Sequence, residues 1–200
     1  MSISRLRMGT DGDGVSTLVT LYGCTLKCKY CINDHCHYEF CERGAYTPEA
    51  LVEVLKKDDI YFKMSDGGIV FGGGEPLLQY EFVAEVFRLA DKKWKKRIET
   101  SLNVPWDNIE PLIELTDEWI IDIKDINDKI YRRYTDCSNK AVIENLMKMK
   151  KYIPAEIMRI RVPYIYDYNT FDDVEKSVKW VRKKLGIEAE QFSYFVTGKK

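Results

Sequence analysis

The feature that most restricts the fold of this chain is the alternation of β-rich runs with amphipathic helical runs. Each run of β-branched and aromatic residues is followed by a stretch with helical spacing, which is typical of a parallel α/β architecture. Right-handed crossovers would wind such units into either a barrel or an open, twisted sheet. Six strands are predicted, beginning at Ser16, Gly68, Arg97, Glu118, Glu156 and Gln191.

The predicted helices carry recognisable start and stop residues. In "TFDDVEKSVKWVRKKLG", Thr170 and Asp173 predict a capping box, and Gly186 predicts the C-terminal stop. Another helix is predicted to begin with Thr47 as N-cap and Pro48 in the first turn. The same spacing predicts two more helices, over residues 83–93 and 142–150.

Size and composition indicate one globular domain over residues 1–200. A hydrophobic fraction of 45% is enough to bury a core, and 31 basic residues nearly balance 32 acidic ones. The balanced charge gives no general reason to expect nucleic acid or an anionic membrane as a partner. We find no signal-peptide pattern and no membrane-length apolar run, so the sequence predicts a cytoplasmic protein.

Glycine-rich or polar motifs follow five of the predicted strands. Ligand-binding residues of parallel α/β proteins lie at the carboxyl ends of the strands, so these motifs are predicted to share one functional rim. In chain order they are the cysteine loop "CTLKCKYC", "GGGEP", "ETS", "DIK" and "RVP".

The cysteine loop places Cys24, Cys28 and Cys31 in a C-x3-C-x2-C pattern. A reducing compartment disfavours a disulfide, and such near neighbours could not join distant segments. Zinc needs four ligands, usually in two separated pairs, whereas three thiolates suit three irons of a [4Fe–4S] cube whose fourth iron stays open. Zinc remains a competing interpretation, since further ligands follow closely at His35, Cys36, His37 and Cys41.

The loop "CTLKCKYC" resembles the cysteine motif of the radical SAM enzymes. The resemblance implies a partial (β/α)6 TIM-like barrel and an iron that chelates S-adenosylmethionine (SAM). Reductive cleavage of SAM then yields a 5′-deoxyadenosyl radical that abstracts hydrogen. Tyr30 matches the family position that lies against the adenine.

The motif "GGGEP" supplies Gly72, Gly73, Gly74 and Glu75. On physical grounds alone a glycine triplet indicates only a tight turn with close backbone approach. The motif is similar to the family's GGEP loop, and this likeness implies hydrogen bonds to the methionine amino group of SAM.

Two carboxylates and an ammonium follow in "ETS" (Glu99, Thr100, Ser101) and "DIK" (Asp122, Lys124). They would suit a zwitterionic ligand, although a solvated rim is the simpler interpretation. The motifs are similar to "DTN" and "DLK" of the enzymes that activate glycyl-radical proteins. The likeness implies a monovalent cation beside SAM and a lysine contact to SAM; Glu99 stands where that subgroup has aspartate.

In "MRIRVP", Arg159 matches the arginine that this subgroup places near SAM, and Arg161 could substitute for it.

The resemblance implies an anaerobic radical SAM oxidoreductase that activates a glycyl-radical enzyme. Its expected partners are a flavodoxin- or ferredoxin-type electron donor and a protein or peptide substrate. Two enzymatic alternatives stay open, a peptide-modifying and a nucleotide-modifying radical SAM enzyme. A metal-stabilised binding module is the non-enzymatic alternative.

Several other residues have simpler explanations. Cys36, Cys41 and Cys137 are predicted to be small buried side chains, and His35 and His37 to be solvated. The basic run at residues 91–97 is predicted to be a helix end and its exit, with docking of an acidic reductase as the alternative.

Overall fold

The computed structural model describes residues 1–37 and 46–194, without the side chains of His35 and His37. The predictions for Cys41 and for those two histidine side chains therefore lie outside the described residues. The strands are β1 (Ser2–Met8), β2 (Val15–Leu21), β3 (Gly68–Gly73), β4 (Lys95–Thr100), β5 (Glu118–Asp122), β6 (Met158–Tyr164) and β7 (Glu190–Ser193). The helices are α1 (Pro48–Leu55), α2 (Asp59–Ser65), α3 (Tyr80–Leu89), α4 (Asp128–Thr135), α5 (Lys140–Tyr152) and α6 (Phe171–Leu185).

The seven strands form one sheet in chain order. Strand β2 runs parallel to β3, β3 to β4, and β6 to β7. The predicted α/β class is therefore confirmed.

Strand β1 is an addition to the six predicted strands. It pairs antiparallel with β2 and shifts register between Ser4 and Arg7, where Leu6 has φ +56°. Its sequence lacks the apolar run by which the other strands were recognised, and most of its side chains are accordingly exposed.

Contacts between Cα atoms divide the chain into two compact units. Unit 1 consists of Met1–Cys24, Asn33–Thr100 and Val104–Ile120, and unit 2 of Thr25–Ile32, Ser101–Asn103 and Ile121–Lys200. The expectation of a single domain stays a prediction.

In unit 1 the helices cover the apolar strands. Thr47 caps α1 by accepting a hydrogen bond from the Ala50 N–H over 3.2 Å, as predicted. The side chains that α1 and α3 bury are Leu51, Val52, Leu55, Val83, Ala84, Val86 and Phe87. The sequence predicted α3 to continue to residue 93, but it ends at Leu89 and a turn leads from there into β4.

In unit 2 the capping box of α6 is present. The hydroxyl of Thr170 accepts from the Asp173 N–H, and the Asp173 carboxylate accepts from the Thr170 N–H. Gly186 ends the helix in the left-handed conformation, with φ +78°. Val174, Val181 and Leu185 are buried in this helix, and α5 buries Val142, Leu146 and Met149.

Two connections differ from the predicted helical pattern. Short 3-10 turns at Trp106–Asn108 and Glu110–Leu115 join β4 to β5 in place of an α-helix. Helix α4 was not predicted, because it buries only Tyr131, Tyr134 and Thr135, and Ile130 is its one aliphatic residue. No helix in the described ranges is both long and apolar enough to cross a bilayer.

Candidate functional site

The "GGGEP" loop lies directly on the end of β2 in unit 1. The Gly74 N–H donates to the Leu21 carbonyl over 3.1 Å, and the Glu75 N–H donates to the Gly23 carbonyl over 2.7 Å. A Cβ on Gly74 would lie 2.2 Å from the Gly23 oxygen, and Gly73 has φ +89°. The loop therefore needs glycine to reach the backbone that leads into Cys24.

Glu75 and Thr100 are brought together inside unit 1. The Thr100 hydroxyl donates to the Glu75 carboxylate over 2.7 Å, and the two residues are only 1% and 3% exposed. The same carboxylate oxygen accepts from the Leu77 N–H over 3.4 Å and so caps the 3-10 turn Pro76–Gln79. The end of β4 is thus tied to the glycine loop through a buried hydrogen bond to a carboxylate.

Glu99 is half-buried and points to the opposite face of β4 from Thr100, since side chains alternate along a strand. Its carboxylate lies beside Gly72, where an added Cβ would be 3.1 Å from Oε2. Ser101, in unit 2, is buried and accepts from the Asn103 N–H over 3.4 Å. Of the "ETS" residues, Thr100 bonds the Glu75 carboxylate within unit 1.

In unit 2 the cysteine segment 25–32 rests on the C-terminal end of α4. The Lys27 N–H donates to the Thr135 carbonyl over 2.9 Å, and the Lys29 N–H donates to the Tyr134 carbonyl over 3.1 Å. These are carbonyl groups that the last turn of a helix leaves without helical partners. Helix α4, which sequence reasoning missed, thus supports the cysteine segment. The clearest sequence signal for this helix is Asn127, its N-cap residue.

Cys137 also contacts this segment. Its Sγ donates to the Thr25 carbonyl over 3.2 Å, so it is a half-buried hydrogen-bond donor and not the fully buried side chain that was predicted. Cys36, in contrast, is only 2% exposed, as predicted.

Tyr30 stands between α4 and the loop after β6, all within unit 2. Its ring meets that of Tyr168 edge-on with centroids 5.4 Å apart, and the Tyr134 ring lies at 6.2 Å. Its hydroxyl donates to the Asp167 carboxylate over 3.3 Å. An aromatic cluster therefore fixes the side chain that precedes Cys31.

The "DIK" residues form a charged network in unit 2. The ammonium of Lys124 lies 3.0 Å from Asp122 Oδ2 and also bonds the Tyr194 hydroxyl, while Arg161 Nε lies 2.6 Å from Asp122 Oδ1. Burial works to raise the pKa of Asp122, but the charges of Lys124 and Arg161 hold that pKa below its usual value. Burial likewise works to lower the pKa of Lys124, and Asp122 holds it well above its usual value.

Arg161 is therefore the arginine that joins the predicted network. Arg159 instead pairs with Glu190 over 2.6 Å, and both of those side chains are substantially exposed. Arg159, taken from the family match, thus pairs with a substantially exposed carboxylate, whereas Arg161, its proposed substitute, pairs with a mostly buried one.

The cysteine donors fit an iron–sulfur group by their chemistry. The described cysteines, including Cys24, Cys28 and Cys31, are thiols. Burial raises the pKa of Cys28 to about 11, a change that nearby Lys124 partly opposes. Such a thiol becomes a thiolate when a metal cation binds it, as iron–sulfur ligation requires. In the described part of the chain no three Cys, His, Asp or Glu side chains already converge as a metal site, so the ligand assignment depends on the spacing.

Comparisons with known proteins place the chain among related sequences. The model of the Radical SAM superfamily matches residues 18–181. The (2S)-3-sulfopropanediol dehydratase activating enzyme of Klebsiella oxytoca is 35% identical over 69% of this chain and 44% of that protein. The pyruvate formate-lyase-activating enzyme of Clostridium pasteurianum is 30% identical over 94% of this chain and 79% of that protein.

The fold has solved counterparts. SuiB of Streptococcus suis bound to S-adenosylmethionine matches with a TM-score of 0.68 and 17% identity, over 90% of this chain and 41% of that one. This likeness shows the fold, which is the partial barrel expected from the sequence.

Proposed function

Because the chain belongs to the radical SAM superfamily, whose members use a [4Fe–4S] cluster and SAM, we propose that this enzyme activates a glycyl-radical protein. When bound, the cluster and SAM supply a 5′-deoxyadenosyl radical, and the proposed substrate is a backbone glycine of a partner protein. The observation that carries the proposal is the set of similar curated proteins, which act as activating enzymes of a dehydratase, a lyase and a decarboxylase.

The chain spans 44% of the dehydratase activating enzyme and 79% of the pyruvate formate-lyase-activating enzyme, so their activities come to this chain only as a proposal. We propose Cys24, Cys28 and Cys31 as the cluster ligands. Their sulfur chemistry and their spacing support this assignment.

The proposed SAM contacts are backbone groups, hydroxyls and charges suited to a zwitterion. In unit 1 they are Gly72, Gly73, Gly74, Glu75, Glu99 and Thr100. In unit 2 they are Tyr30, Ser101, Asp122 and Lys124, with Arg161 taking the place of Arg159. The buried bond between Glu75 and Thr100 favours a rigid loop, and the Asp122 network keeps an ammonium charged inside the protein.

The proposal also includes a flavodoxin- or ferredoxin-type reductant, a cytoplasmic and anaerobic setting, and a monovalent cation near the bound SAM. The electron donor follows from the need for a reduced cluster.

The test is electron paramagnetic resonance of the anaerobically reconstituted enzyme with SAM, reductant and a purified pyruvate formate-lyase. A glycyl-type doublet on the large protein is the expected result. The same sample also reports 5′-deoxyadenosine by liquid chromatography.

One control and one further substrate complete the test. A lyase whose radical glycine is replaced by alanine should give 5′-deoxyadenosine without the doublet. The dehydratase named among the relatives should be tried in parallel, since pyruvate formate-lyase is only one member of its class. Deoxyadenosine with no protein radical on any of these substrates would contradict activation and leave SAM cleavage standing.

A further inference from the structure

Tyr194 ends the described chain beside the lysine of "DIK". Strand β7 pairs with β6 through Tyr164 and Ser193, and the Tyr194 N–H donates to the Tyr164 carbonyl over 3.1 Å. This pairing brings the Tyr194 side chain to Lys124, whose ammonium bonds the tyrosine hydroxyl and lies 5.1 Å from the ring centroid. The hydroxyl must accept in this bond, since an ammonium only donates.

The Lys124 ammonium has three N–H groups. Within the described ranges, one meets Asp122 and one meets Tyr194. The side chain is about 10% exposed, so it retains a narrow path to an incoming group. Two fixed bonds leave a single N–H whose direction is set by the protein.

The ring of Tyr194 is itself fixed. It stacks on Tyr134 with centroids 6.1 Å apart and an interplanar angle of 29°, and it meets Phe192 edge-on at 5.4 Å. Tyr134 is also the residue whose carbonyl accepts from the Lys29 N–H in the cysteine segment. The tyrosine hydroxyl is thus held against Lys124 by packing, and it does not have to be ordered when a ligand arrives.

We infer that Tyr194 is a positioning residue, which orients the Lys124 ammonium so that its remaining N–H can bind the carboxylate of SAM. This inference rests on the proposed function, since it deepens the role of the same lysine. It assigns a role to the residue directly after β7 that neither the cysteine motif nor the "DIK" motif indicates. It also requires the hydroxyl, and not only the ring, of Tyr194.

The first test uses the protein without cluster or SAM, so it does not depend on activity. Lys124 acylation by an N-hydroxysuccinimide ester is followed by peptide mass spectrometry in wild type and Tyr194→Phe. Losing a hydrogen bond to a charged group should raise the Lys124 rate by about 10-fold and leave the other lysines unchanged. Tyr164→Phe is the matched control, because it removes a hydroxyl from the neighbouring strand whose ring stacks on Phe171.

The second test uses the reconstituted enzyme and measures KM for SAM and kcat for SAM cleavage. Tyr194→Phe should raise KM by about 10-fold with little change in kcat, since a binding interaction is weakened. In a Lys124→Met background the same substitution should change KM by less than about 2-fold, because Tyr194 acts through Lys124.

The outcomes of these two tests can be told apart from the outcome of the glycyl-radical test. An unchanged acylation rate overturns the positioning role, and so does faster acylation with an unchanged KM. Equal effects of Tyr194→Phe with and without Lys124 also overturn it, because they indicate a general structural effect. If the protein cleaves SAM but activates no glycyl-radical protein, the proposed function fails while both tests of Tyr194 still apply.

Discussion

Thr100 donates its hydroxyl hydrogen to the Glu75 carboxylate over 2.7 Å, and this bond joins the end of β4 to the glycine loop after β3. Both residues are almost fully buried, so water cannot replace a lost partner.

Thr100→Val should therefore lower the free energy of unfolding by about 1.5–3 kcal/mol, the range for hydrogen bonds to charged groups. Urea unfolding of the cluster-free protein measures the change. Thr100→Ser keeps the hydroxyl and serves as the control. Equal stability of the valine and serine variants would mean that the bond contributes nothing.

Gly74→Ala should destabilise the protein by at least about 3 kcal/mol, because the new Cβ would lie 2.2 Å from the Gly23 carbonyl oxygen. The clash is with backbone, so the loop must move. Gly9→Ala is the control, since Gly9 has φ +74° with no atom within 4 Å of the added Cβ, and it should cost only about 1–2 kcal/mol. Similar thermal unfolding midpoints for the two variants would show that the loop yields easily.

Alanine at Cys24, Cys28 or Cys31 should abolish SAM cleavage, since each removes one proposed cluster ligand. Iron content, absorbance and 5′-deoxyadenosine formation after anaerobic reconstitution measure the loss. A triple variant that still cleaves SAM would refute the ligand assignment.

Cys137→Ser gives the matched control for the cysteine ligands. Serine can still donate to the Thr25 carbonyl, as the Cys137 thiol does now, so the cluster should form. Loss of iron in this variant would show that the ligand set is wrong.

Arg161→Met should cost about 3 kcal/mol, because it removes a partner from the nearly buried carboxylate of Asp122. Arg159→Met should cost no more than about 1 kcal/mol, because its pair with Glu190 is substantially exposed. Urea unfolding of both variants compares two arginines of one strand. The reverse order of stability would assign the structural role to Arg159.

Acid should weaken the start of α4 through Asp128. Hydrogen bonds from the Arg132 and Ser138 side chains and the Asn139 N–H lower the pKa of this carboxyl to about 2 from 3.8. Its contribution to stability is therefore complete above pH 3.8 and is lost as the pH falls towards 2.

Asp128→Asn should accordingly show a shallower fall of the unfolding midpoint between pH 3.8 and pH 2 than wild type. Asp107→Asn, at an exposed side chain in a 3-10 turn, serves as control and should follow the wild-type curve. Parallel curves for wild type and Asp128→Asn would contradict the prediction.

The sequence was most informative where a feature is local. The Thr170 capping box and the Gly186 stop lie within one helix, and the glycine loop after β3 has its own signature. It was least informative where distant segments meet. Helix α4 shows few apolar residues, because two of its three buried positions are tyrosines, and one of them, Tyr134, packs on the distant Tyr168.

The two arginines of β6 show the same limit. Both point to one side of the strand, since they are two residues apart, and periodicity cannot choose between them. Only the position of Asp122 distinguishes Arg161. The role of Tyr194 likewise depends on the pairing of β7 with β6, which no pattern within "QFSYFV" reveals.

The support of the cysteine segment by α4 has a consequence for biosynthesis. Thr25 and Cys137, which bond each other, are 112 residues apart in the chain. At a translation rate of about 5–20 residues per second, the cysteines leave the ribosome roughly 6–20 s before their supporting helix does. The nascent thiols spend that interval without their native backbone partners, so iron delivered at this stage would meet a loop not yet held in shape. Cellular cluster insertion should therefore follow the folding of α4 against the cysteine segment.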